Sequence, residues 1–193
     1  MMIDASLGRA GCGGFPPCGQ GAAGMPFPGF PGGRPEPAPM PCQTPPQPAA
    51  DALSIQLSTT QTGIAAGAVL PLGASVRQIG CALRYDTANH AVTVTEPGVY
   101  VFKWQVLVQS ADAAADVVIS LQSLDGTAVL ASSGAAAVPA EGGVLVAGSA
   151  VAQLRPGTSW ALVNNSGAAI NLPAAGTAPA AFVGSETVYR LAE

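Results

Sequence analysis

Only one histidine, His90, occurs in the 193 residues, so a histidine base or ligand has a single place to be. It sits beside Asn89 in a segment that reads as a turn and is expected to be a solvated turn residue. A Ser or Cys nucleophile needs a positioned base and a third group that orients the base. With one His next to no nucleophile, hydrolase chemistry is not expected and no catalytic residue is assigned. Asp112, Asp116 and Asp125 lie near the ends of apolar runs and invite comparison with a Ca²⁺ site, which needs about six to eight oxygen ligands. Their spacing matches no calcium loop, so they read as solvated loop carboxylates, with no metal and no cofactor.

The four cysteines, Cys12, Cys18, Cys42 and Cys81, have spacings that match no zinc pattern. Cys12, Cys18 and Cys42 fall in a segment expected to be flexible, where thiols meet partner chains without geometric penalty, and they are the expected cross-linking residues. Cys81 sits in a strand-like run and is expected to be a buried small hydrophobe. Trp104, Trp160, Tyr100, Tyr189 and Phe182 would make a sugar-binding platform if exposed, but their strand-like alternation predicts packing. Asn164-Asn165-Ser166 is a formal glycosylation sequon and reads instead as a turn in which Asn tolerates left-handed backbone geometry.

These side chains must be positioned by two unlike stretches. Residues 1–50 hold 12 of the 18 prolines and 10 of the 24 glycines, a composition that builds no core and predicts a disordered Pro/Gly/Cys-rich segment. Glycine there lacks the strict three-residue period of a collagen helix. Residues 51–193 suit one domain with a single core. Short runs of β-branched residues broken by Gly, Pro, Asn or Asp predict an all-β sandwich. The expected strands are 53–58, 68–72, 80–85, 91–95, 98–109, 116–124, 127–131, 144–154, 159–164, 169–172 and 181–191, with hairpin turns at 86–89 and Asp125-Gly126. Pro97-Gly98 and Pro156-Gly157 are expected to be turns feeding new strands. In the most regular strand, Tyr100, Phe102, Trp104, Val106 and Val108 take the core face.

Charged residues make up 9% of the chain, against about 25% in ordinary soluble domains, which favours self-association over a free enzyme. Arg77, Arg84, Lys103, Arg155 and Arg190 are scattered, so nucleic acid is not an expected partner. No run is long enough to span a membrane, and the opening Met1 to Ser6 lacks a secretion-signal pattern.

Glu96-Pro97-Gly98-Val99-Tyr100-Val101-Phe102, Leu124-Asp125-Gly126-Thr127, Gly148-Ser149-Ala150-Val151, Leu154-Arg155-Pro156-Gly157-Thr158 and Leu162-Val163-Asn164-Asn165-Ser166-Gly167 follow one another in order. Over roughly residues 53–193 that succession resembles the C-terminal domain of BclA-type collagen-like exosporium (spore surface) glycoproteins. These belong to the tumour-necrosis-factor/complement-1q-like jelly-roll superfamily. The resemblance implies a jelly-roll β-sandwich, a homotrimer with no catalytic residues, and display on the exosporium or coat of a bacterial spore or on a cell surface. The long Gly-X-Y stalk of the collagen-like members is missing, which leaves the head and an arm that attaches it to other surface proteins. A ligand-binding or adhesion module, lectin-like or the receptor-binding tip of a fibre or phage tail, is the alternative reading.

Apolar residues also occupy the second face of several strands, and a monomer would leave them in water. Val99, Val101, Leu107, Val163, Val183 and Tyr189 are accordingly the expected subunit-interface residues.

Overall fold

Alternation along residues 98–110 sets the architecture. A strand sends successive side chains to opposite faces; Tyr100, Phe102, Trp104, Val106 and Val108 enter a closed core, while Lys103 and Gln105 stay in water. The computed structural model describes residues 51–73, 75–175 and 182–191, and every regular element among them is a strand. In chain order they are β1 (Ala52–Leu57), β2 (Gln61–Ile64), β3 (Ser75–Ile79), β4 (Leu83–Asp86), β5 (Ala91–Val94), β6 (Gly98–Ser110), β7 (Ala115–Ser123), β8 (Val129–Val138), β9 (Val144–Leu154), β10 (Ser159–Asn164), β11 (Ile170–Leu172) and β12 (Gly184–Arg190). The expected arm, with Cys12, Cys18 and Cys42, lies outside the described residues.

One sheet runs β2-β11-β6-β12-β1-β3, with β9 along the other edge of β6. The length of β6 organises it, because β12 and then β11 line one edge while β9 lines the other from Gly98 to Val108. The second sheet runs β4-β5-β10-β7-β8, and its ladders are antiparallel like those of the first. Leu53, Ile55, Phe102 and Val188 of the first sheet join Val92, Val117, Ile119, Leu121 and Leu162 of the second in one buried cluster. The result is an all-β jelly-roll sandwich.

Two polar devices lock this core. The Trp104 indole N–H donates across the sandwich to Ser133 Oγ on β8 at 3.0 Å. Its ring lies so close over β9 that a Cβ at Gly148 would sit 2.2 Å from Cζ2, so only glycine fits there. Asn164 is fully buried; its Nδ2 reaches the carbonyls of Ile64, Ala65 and Ala168 at 3.0, 3.1 and 3.0 Å, and its Oδ1 accepts the Ser166 N–H.

Several boundaries differ from the sequence expectation. Residues 68–72 form a bridge at Val69 beside Val163 rather than a full strand. The run at 80–85 starts late, because Gly80 adopts φ 75° and Asp51 Oδ1 accepts the Cys81 and Ala82 N–H groups, holding them out of the ladder. Cys81 is half-buried and disulfide-bonded, not a buried small hydrophobe. β2 and β3 were not expected, and β8 extends seven residues past 131 because pairing with β7 overrides the weak strand propensity of Ser132 to Ala137. The last strand starts only at Gly184.

Candidate functional site

The side chains that could do chemistry do not converge. His90 is half-buried rather than solvated: its Nδ1 donates to the Leu72 carbonyl at 2.8 Å and lies 3.3 Å from the Tyr85 hydroxyl, which bonds the same carbonyl. His90 also takes φ 51°, so it closes the β4–β5 turn in a left-handed conformation. Asp116 accepts the Ala137 N–H, and Asp125 is consumed by its own turn, accepting from Ser123 and Thr127. Those bonds hold the Asp125 carboxyl below the usual carboxylate range, the Ser123 hydroxyl contributing most. Asp112 and Asp116 sit at the opposite end of β7 from Asp125. Among the described residues no group of three or more His, Cys, Asp or Glu side chains could hold a metal.

Tyr100, Trp104 and Trp160 belong to the core. The Asn164 side chain is buried and fully bonded, so the sequon is closed, and neither Asn164 nor Asn165 has the left-handed backbone expected of it. The turn is built on hydrogen bonds instead.

What the fold does assemble is a face. Antiparallel partners in register point to the same side, and on the outer side of the first sheet the register aligns Ile79, Ala52, Tyr189, Val101 and Val151 across five strands. This apolar row ends in Ile79, 62% exposed, and Val151, 67% exposed. The next row is Arg77, Ser54, Thr187, Lys103 and Ser149, and the third Ser75, Gln56, Ser185, Gln105 and Ala147. Farther along, Leu107 pairs with Leu145, which is 53% exposed. The Lys103 ammonium lies 5.7 Å from the Tyr189 ring centre, holding that ring against the sheet by a cation–π contact.

Four of the six expected interface residues, Val99, Val101, Leu107 and Tyr189, lie on this face. Val183 does not: it precedes β12, where strand alternation has not begun, and it is completely enclosed in the core. Val163 is 7% exposed within its own chain, on β10 of the other sheet, so little of it is left for a neighbour. Sequence reasoning missed Ile79, Leu145 and Val151. The last two had a signal, since they alternate out of phase with the core residues Val146, Ala150 and Leu154 of the same strand.

No protein-family model and no curated protein matches the chain. Among solved structures it is similar to the Eiger TNF of S. frugiperda, at a TM-score of 0.55 and 14% identity, covering 75% of this chain and 92% of that one. It is also similar to murine APRIL at pH 5.0, at a TM-score of 0.51 and 12% identity over 74% of this chain and 99% of that one. At such identity the likeness establishes the fold, a tumour-necrosis-factor-like jelly roll.

Proposed function

We propose that the chain is the subunit of a non-catalytic homotrimer, a head domain displayed on the outer layer of a bacterial spore (exosporium or coat) or on a cell surface. Attachment to other surface proteins runs through the N-terminal arm with Cys12, Cys18 and Cys42. The observation that carries this reading is the apolar row from Ile79 to Val151, whose two ends a monomer leaves in water.

A second feature supplies its counterpart. β8 and β9 lie side by side where the two sheets meet on one side of the sandwich, neither pairs with a further strand among the described residues, and neither holds a charged residue. Long uncharged edges are association-prone unless something covers them. The face of one copy against the β8–β9 edge of the next is a heterologous contact, and such contacts close into a ring when the rotation between copies closes. The resemblance to BclA-type heads is what supports three as the number and the spore surface as the place.

Fractionation of sporulating cells tests the location: recovery of the chain with the coat or exosporium supports it, and recovery only from the soluble lysate counts against it. One observation favours an adhesion module instead, a hollow of about 600 Å³ between the β7–β8 and β9–β10 turns, lined by Ser123, Asp125, Thr127, Thr158 and Trp160. Binding on a glycan array that is lost in Thr158→Val would favour that reading; silence favours the structural one.

A further inference from the structure

Glu186 stands in the middle of β12 with its side chain on the core face, between Ile55 of β1 and Trp104 of β6 in register. It is 3% exposed, and its Oε1 has no hydrogen-bond partner. The nearby bases do not serve it. Lys103 pairs in register with Thr187 and faces outward, and Arg190 is engaged by Glu96 at 2.7 Å and Asp51 at 3.6 Å. An ionised carboxylate in such a place loses its hydration with nothing in return, so the group keeps its proton instead.

We propose that Glu186 is a proton-operated control on the stability of the head: β12, which joins β1 to β6, is held most firmly while this carboxyl is protonated and is loosened when the proton leaves. Burial pushes the group up from 4.5 to about 8. Of the elements around it, β1 and β6 present Ile55 and Trp104, which do not titrate. Across the sandwich, Tyr85 of β4 feels the Glu186 charge, and its phenol is itself pushed up, by burial first, so it stays protonated throughout. His90 reaches the site only through its contact with Tyr85 and the Leu72 carbonyl.

The direction follows from proton linkage. The native state binds the extra proton between the unfolded value of 4.5 and the folded value of about 8. This stability is therefore complete below the unfolded value, falls as pH rises through the window and levels off above it. Other carboxyls act on the acid side: Asp86 and Asp125 are held below their ordinary value by turn hydrogen bonds, Asn89 and Ser123 giving the largest effect in each.

Thermal melts of the full chain between about pH 5 and pH 9, for wild type and Glu186→Gln, test the proposal. Wild type is expected to lose on the order of 10 °C in Tm across the window, and the glutamine variant much less. Parallel profiles overturn the proposal. Should the glutamine variant fail to fold, Glu186→Leu makes the same comparison without a titrating group. Infrared spectra give a second readout. A protonated-carboxyl C=O band is expected in wild type at neutral pH and is lost on raising the pH to about 9; its absence at neutral pH overturns the proposal as well.

Discussion

Replacing Val151 by lysine is expected to dissociate the proposed trimer and leave the subunit folded. Val151 is 67% exposed at the end of the apolar row, so little of it contributes to the subunit's own core. Enclosing a whole Val, Leu or Ile side chain is worth about 1.5–3 kcal/mol, so covering two thirds of Val151 contributes about 1–2 kcal/mol per copy. A cyclic trimer makes the contact at every interface, which raises the loss to about 3–6 kcal/mol per assembly. That is roughly a 10²- to 10⁴-fold change in the association constant. Because three chains combine, the concentration at half-assembly shifts by the square root, about 10- to 100-fold. Lysine suits the test, because it adds a like charge beside the row holding Lys103 and Arg77 and is at home on edge strands. Val101, only 7% exposed, would disturb the subunit too. The assay is sedimentation equilibrium over a range of concentrations, with circular dichroism to confirm the fold. A folded Val151→Lys protein that assembles at the wild-type concentration would refute the assignment of this face.

Two further outcomes are expected. Asn164→Ala removes the donor that reaches the carbonyls of Ile64, Ala65 and Ala168 and the acceptor of the Ser166 N–H, at about 1–3 kcal/mol for a buried group left unsatisfied; a Tm lower by roughly 10 °C in thermal melts checks it. Gly148→Ala forces a methyl into the Trp104 indole, which costs about 1–3 kcal/mol and should break the bond to Ser133; a changed tryptophan emission at lower stability is the readout, and an unchanged spectrum would contradict the close approach.

Much of the sandwich was legible where alternation is strong. β9 and β10 have the bounds that their β-branched residues predict, and β6 carries its aromatic residues inward as the period-two pattern requires. β3 was not legible because all five of its residues are exposed, leaving no core face to print a pattern. The second half of β8 was hidden by alanine, serine and glycine, which pair with β7 for tertiary reasons. Val183 was assigned to the wrong face because β12 starts only at Gly184, so the alternation that places Val188 and Tyr189 correctly does not extend back to it. The same parity held a clue that went unused: Glu186 lies two residues before the core residue Val188 and so shares its face. The interface row was half-visible, since membership of a face follows from alternation but alignment across five strands depends on register, which one strand's sequence does not contain.

The mass of the wild-type particle tests the central claim most directly. The full chain, reduced so that no disulfide joins copies, is expected to scatter light at micromolar concentration as a particle of about three times the 19.0 kDa chain mass. A single-chain mass with an intact β-sheet spectrum would contradict the account.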